Sequence, residues 1–270
     1  MKNFLNMTCL ITIMLGITTT FTSCGNDNEY TKASSNLRRI FKGKLPKSVD
    51  GLTIETNGKG QVVAFKSEED KNDRGVERIM NVTLKYKDES ANPSEWMTDV
   101  VVTAKLRSGK LFAVYNMDLN EKGFVRHCEV QRYSYNSDYI QERWRMDFTY
   151  NGDDQLETIR EHETTTTFIY KDGDIVEEKW DSKASGNPIY YTSRDVPTPI
   201  ENKGGILCVS LNDDALKYIY YAGLLGKGAR HLPVKAYDNY YLMQFLWKFD
   251  AEGYPLAVYE KGNLMHSFTW

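Results

Sequence analysis

Apolar and polar residues alternate with a period of two along most of this chain. In Trp144-Arg145-Met146-Asp147-Phe148-Thr149-Tyr150 every second residue is apolar, which puts one set on one face of a β-strand and the polar set on the other. Asn151-Gly152-Asp153-Asp154 follows, rich in residues that tolerate positive φ, so the chain is expected to reverse there. The same signal recurs where Phe168-Ile169-Tyr170 meets Lys171-Asp172-Gly173-Asp174 and then Ile175-Val176. Earlier, Leu52-Thr53-Ile54 and Gln61 to Phe65 flank Asn57-Gly58-Lys59-Gly60, and Val82, Leu84 and Tyr86 share one face. Val100, Val102, Ala104 and Leu106 share another, with turns at Ser108-Gly109 and Asn120-Glu121-Lys122-Gly123. Near the end, Asp250-Ala251-Glu252-Gly253 and Lys261-Gly262-Asn263 separate Tyr241 to Phe249, Leu256 to Tyr259 and Leu264 to Trp270. Links this short join antiparallel neighbours, because parallel pairing needs a long crossover. The predicted fold class is mainly all-β: an antiparallel meander of repeated hairpins forming one large curved sheet or open barrel.

Three segments depart from the pattern. Lys66 to Arg78 is charged and turn-rich, hence an exposed loop. Asp181 to Gly205 carries Pro188, Pro197 and Pro199 and reads as a long loop with room for one strand at Ile189-Tyr190-Tyr191. Asn212-Asp213-Asp214 precedes Leu216, Ile219, Tyr220, Gly223 and Leu224 at helical spacing. That combination predicts one short helix near 212–226, capped by Asn212 and stopped by Gly226 and Gly228. Its apolar face is expected to plug an open edge or end of the sheet.

The N-terminal stretch is different in kind. Lys2 precedes an apolar core from Met7 to Phe21, shorter and richer in threonine than the roughly 20 apolar residues of a membrane span, so it reads as a secretory signal peptide. Phe21-Thr22-Ser23-Cys24 resembles the lipobox of bacterial lipoprotein signals in the relaxed form, with Ser before Cys, found in Bacteroidetes. That resemblance implies loss of residues 1–23, lipidation of Cys24 and attachment to the outer membrane, on its periplasmic or its surface face. Residues 24–45 are polar and aperiodic and are expected to form a flexible tether, with 46–270 as a single antiparallel β domain. Asp27 and Glu29 suit either an acidic surface-export signal or a plain solvated linker.

Charge narrows the partners. The 270 residues carry a net charge of −3, and removing 1–23, which hold Lys2 and no acid, leaves 33 basic against 37 acidic residues, or −4. There is no basic surplus to hold phosphate backbones, so a nucleic-acid partner is not expected. Beyond Cys9 and Cys24, only Cys128 and Cys208 remain, as a possible disulfide or as two buried small hydrophobes.

Candidate chemistry is sparse. Glu161-His162-Glu163 is a charged cluster whose neighbours point opposite ways on a strand, and His127, His231 and His266 stand alone without zinc spacing. The Asp/Gly-rich turns lack the ligand series of a calcium loop, and neither a Gly-x-Ser-x-Gly elbow nor a phosphate-binding glycine loop is present. No cofactor or metal is therefore expected, and no catalytic residue is named. Eighteen tyrosines and five tryptophans are more suggestive, since aromatic faces stack on sugar rings and line pockets. Tyr190, Tyr191 and Trp247 are the candidate binding aromatics; the competing reading is that tyrosine simply suits a half-wet sheet.

The repeated aromatic-Asp-x-Glu/Asp-Gly hairpins, as in Trp247-Lys248-Phe249-Asp250-Ala251-Glu252-Gly253-Tyr254-Pro255, resemble a domain-of-unknown-function family of secreted Bacteroidetes proteins. So does Tyr221-Ala222-Gly223-Leu224-Leu225-Gly226-Lys227-Gly228 followed by Leu232-Pro233. The resemblance implies a porin-like, barrel-shaped β fold and brings no catalytic residues with it. Spanning strands need one continuous apolar face, which Glu157 to Glu163 and Ile175 to Lys179 lack, so a membrane-crossing barrel is not expected. The expected function is a lipid-anchored, non-catalytic envelope module that binds a glycan, an apolar small molecule or a protein. A structural or accessory subunit of an envelope complex is the alternative, and a hydrolase using paired carboxylates the third.

Overall fold

Where apolar residues fall on alternate positions, the chain is extended and paired. The computed structural model describes residues 37, 39–41, 44–67, 79–87, 98–134, 139–181, 186–208, 211, 215–238 and 241–270. The signal segment, Cys24, residues 68–78 of the expected loop and Asn212–Asp214 lie outside these.

The first strands are β1 (Ser48–Val49), β2 (Leu52–Thr56), β3 (Val62–Ser67), β4 (Ile79–Tyr86), β5 (Val100–Leu106) and β6 (Leu111–Leu119). They continue as β7 (Val125–Tyr133), β8 (Ile140–Tyr150), β9 (Leu156–Glu161), β10 (Thr164–Lys171), β11 (Asp174–Trp180) and β12 (Asn187–Tyr190). An excursion follows, built from β13 (Ile200–Glu201), helix α1 (Leu216–Tyr221) and β14 (His231–Leu232). The chain then resumes with β15 (Lys235–Asp238), β16 (Tyr241–Phe249), β17 (Pro255–Glu260) and β18 (Asn263–Thr269).

Sixteen of these strands form one closed antiparallel barrel, and β13 and β14 pair separately. β12 is joined to β15 across the excursion, and two-residue β1 closes the ring by pairing with both β18 and β2. The expected curved sheet thus shuts on itself, leaving no free edge. Asp50 and Gly51, both at positive φ, make the two-residue turn from β1 to β2.

The alternation read from β8 is kept: Met146 and Phe148 are buried and Trp144 and Tyr150 pack against the core, while Arg145 and Thr149 face out. A ring of sixteen strands is too wide for wall side chains alone to fill. The excursion supplies the missing volume. Leu216, Tyr218, Ile219, Tyr220 and Tyr221 of α1 are all buried. Tyr218 packs on Phe65 of β3 at 5.1 Å between ring centroids, and Tyr221 on Phe268 of β18 at 6.1 Å. Each such buried aromatic contributes about 1.5–3 kcal/mol by leaving water. The helix is shorter than the expected 212–226: Gly223 takes φ +79 and turns the chain, with its N–H donating to the Tyr220 carbonyl.

The body also begins earlier than residue 46. Leu37, Ile40 and Phe41 are buried, and Phe41 stacks on Tyr221 at 6.2 Å. The last part of the expected tether therefore belongs to the core, where it covers the helix.

Candidate functional site

Four turns at the end of the barrel that holds the excursion repeat one design. In Asn57–Gln61, Asn120–Phe124, Asn151–Gln155 and Asp250–Tyr254 the first side-chain oxygen accepts two backbone N–H groups, two and four residues on. The fourth position of each takes positive φ, and in three turns it is glycine: Gly60, Gly123 and Gly253. In the remaining turn it is Asp154, at φ +66. A side chain there costs about 1 kcal/mol relative to glycine.

What the aspartate adds is a junction of charges. Its carboxylate accepts from Lys122 Nζ at 2.7 Å and pairs with Arg39 at 3.5 Å and Lys227 at 3.6 Å. Burial pushes its carboxyl up, but the Lys122 hydrogen bond and the charges of Arg39, Lys122 and Lys227 together hold it below the ordinary value. The Asp154 carbonyl accepts the Lys227 N–H at 2.8 Å, which ties the turn to the excursion. Gly226 lets the two backbones approach, because a Cβ there would stand 2.5 Å from the Asp154 carbonyl oxygen.

The excursion is pinned to the barrel at two more points and braced within itself at a third. Gln155 Nε2 donates to the carbonyls of Gly173 at 2.9 Å and Gly228 at 3.3 Å. Asp174 accepts from the His231 backbone N–H at 2.8 Å and from Nδ1 at 2.7 Å. Asn202 Nδ2 donates to the carbonyls of Ile206 and Ala229, while its Oδ1 accepts the Ile206 N–H. Between these struts lies an open cleft of about 670 Å³. Arg39, Lys203, Lys227 and Arg230 supply four cations to its lining, against Asp153 and Glu201. Arg230 is exposed and makes no ion pair among the described residues. The lining thus carries more cations than acids, although Asp154 just behind it answers Arg39 and Lys227. His231, held through Nδ1 by Asp174, stands in the cleft wall.

The structure does not gather the candidate aromatics into one site. Tyr190 is exposed, with its ring edge-on to Tyr237 at 6.2 Å. Tyr191 is buried, and its hydroxyl sits between the N–H and carbonyl of Ile175. Trp247 donates its indole N–H to the Pro233 carbonyl, on the inner side of the wall. Four further tyrosines go inward with hydroxyls capped by main-chain carbonyls: Tyr86 on Val62, Tyr150 on Val125, Tyr170 on Leu156 and Tyr220 on Gly205. Burial pushes all four phenols above their usual range.

Cys128 and Cys208 are free thiols rather than a disulfide. Cys128 lies in the barrel wall between Met117 and Met146, whereas Cys208 lies in the excursion and donates to the Ile206 carbonyl. His162 occupies the turn between β9 and β10 at φ +52 and is not on a strand. The three other histidines, which look solitary in sequence, each meet an aspartate: His127 with Asp147, His231 with Asp174 and His266 with Asp50. The pairs span up to 216 positions, so no spacing rule could have found them.

A family model described as a domain of unknown function (DUF4595) with porin-like fold matches residues 54–257. The chain belongs to the DUF4595 family. The same fold appears in a porin-like protein from Bacteroides uniformis, with 16% identity, TM-score 0.50 and coverage of 81% of this chain and 88% of that one. A porin-like protein from Bacteroides vulgatus is similar at 12% identity and TM-score 0.50, covering 84% of this chain and 99% of the other. No curated protein matches the chain.

In this DUF4595 barrel the polarity of a porin is inverted over much of the wall. Cross-strand register puts Asp118, His127, Asp147, Arg160 and Thr165 in one outward row from β6 to β10. Thr149, Thr158, Thr167 and Lys179 form a second. A basic residue at the lipid midplane costs about 2–4 kcal/mol, so such rows suit water better than lipid. The apolar face is turned in, where the helix plugs the bore.

Proposed function

We propose that this protein is a lipid-anchored, non-catalytic binding module of the cell envelope whose cleft holds a small, polar, anionic ligand such as an acidic sugar. The single observation that carries this reading is the open cleft at the plugged end, with four cations in its lining against two acids. Arg230, without an acidic partner of its own, is the residue placed to receive a carboxylate in a bidentate pair. The strained aspartate at 154 supports it, since it spends local stability to hold Arg39 and Lys227 at the cleft. The lipobox-like run before Cys24 supports the anchor.

Calorimetry with uronic-acid oligosaccharides and with neutral ones of equal length tests the ligand. Binding of the acidic set, weakened about tenfold or more by Arg230→Ala, is expected. Equal affinity for neutral and acidic sugars, or for wild type and variant, would overturn the assignment. Turnover of the bound sugar that disappears in His231→Ala would instead make the Asp174–His231 pair a general base and the protein a hydrolase. Palmitate labelling of the wild type, lost in Cys24→Ala, tests the anchor separately.

A further inference from the structure

The outer wall is not uniform. Among the described residues, the large apolar side chains with high exposure concentrate on β12 and β16–β18, with Tyr190, Leu246, Leu256, Leu264 and Met265 there and Tyr139 and Ile169 the ones elsewhere. Register fixes which way the central ones point. Trp247, Val258 and His266 form an inward row, anchored by Trp247 on Pro233 and by His266 on Asp50. The adjacent row of Leu246, Tyr259 and Leu264 therefore faces out, and Leu246 and Leu264 are 65% and 54% exposed. Tyr190–Lys235–Gln244 and Lys248–Ala257–Ser267 are the flanking outward rows. Their only charges are Lys235 and Lys248, and Lys248 lies over the Tyr259 ring at 4.7 Å from its centroid. No Asp or Glu occurs in these three rows. The opposite wall carries threonine and mixed charge in the same positions.

We infer that this face of the barrel docks on an anionic lipid leaflet. An apolar, tyrosine-bearing surface whose three outward rows carry lysines and no acids, with Glu260 only at its edge against Tyr241, is complementary to acyl chains beneath negatively charged headgroups. Apposing two copies of the same surface would instead set lysine against lysine with no acid in these rows to answer, which disfavours a symmetric dimer through it. The inference concerns a surface separate from the cleft and does not need a lipid on Cys24. Docking along the wall would leave the plugged end, with its cleft, at the side of the membrane contact and open to solvent.

Vesicle co-sedimentation of the full chain tests it, with phosphatidylglycerol vesicles against phosphatidylcholine ones. Two double variants are compared in the same background, Leu246→Glu with Leu264→Glu on this face and Thr149→Glu with Thr158→Glu on the opposite wall. Any contribution of residues 1–24 is common to all samples. Expected are preferential binding to phosphatidylglycerol, loss of the wall contribution in the first variant only, and about a fivefold weakening in Lys248→Gln, equivalent to about 1 kcal/mol per lysine. Unchanged binding in the Leu246/Leu264 variant, or equal loss in both doubles, would overturn the inference. A vesicle-free dimer seen by sedimentation velocity and broken by the same variant would overturn it too, by giving the face to a second copy. Circular dichroism of each variant confirms that these exposed substitutions leave the barrel intact.

Discussion

Asp50 holds three parts of the molecule together, and replacing it should expose how much that junction stabilises the closed ring. It sits in the turn between β1 and β2, accepts from Lys217 of the helix at 2.8 Å and from His266 of β18 at 3.0 Å, and receives the Ser267 N–H at 3.0 Å. Burial raises its carboxyl, but the hydrogen bond from His266 and the charge of Lys217 outweigh that and lower it from 3.8 to about 2. A native value below the unfolded one stabilises the fold above pH 4, and that contribution is lost as pH falls through 4 towards 2. At about 1.36 kcal/mol per pH unit, the difference amounts to roughly 2 kcal/mol at neutral pH, about half that at pH 3 and a few tenths at pH 2. Asn is the clean probe, because it tolerates the φ of +51 at this position and keeps an acceptor oxygen while removing the charge. Urea titrations should show Asp50→Asn less stable than wild type by about 2 kcal/mol at pH 7, with the gap closing by about half at pH 3. A gap of the same size at both values would mean that the carboxylate charge does not hold the seam, and the reasoning would fail.

Phe41→Ala should lower the urea-unfolding free energy by about 3 kcal/mol, since its ring packs on Tyr220 and Tyr221; no change would return Leu37, Ile40 and Phe41 to the tether. Gly226→Ala should cost about 2 kcal/mol or more in thermal or urea denaturation, because its φ is +80 and the new Cβ meets the Asp154 carbonyl. Gly152→Ala, with no atom within 4 Å of its Cβ, should stay within about 0.5 kcal/mol of wild type and serves as the control. Iodoacetamide mapping without reductant should find Cys128 and Cys208 unmodified in the native protein and fully alkylated in denaturant, because one is buried in the wall and burial pushes the other thiol up. A Cys128–Cys208 peptide in the unreduced digest would contradict the separate positions of the two thiols.

Strands and turns were legible from residue order because their causes are local. A period of two sorts Trp144, Met146, Phe148 and Tyr150 to one face whatever lies beneath, and Asn151 supplies its own acceptor to the next backbone N–H groups. The family, too, was legible, since its punctuation sits in those same turns. The helix was legible in kind but not in extent or environment: Gly223 ends it early, and the burial of all its residues but Lys217 follows from the width of the ring around it. Closure itself depends on two residues, Ser48 and Val49, meeting Thr269 and Phe268 more than two hundred positions away. The same is true of the charged cleft, the three His–Asp pairs and the divergence of Tyr190, Tyr191 and Trp247. Sequence spacing dictates which face a side chain takes on its own strand. Which distant strand, turn or plug that face then meets is decided only when the ring closes and its interior has to be filled.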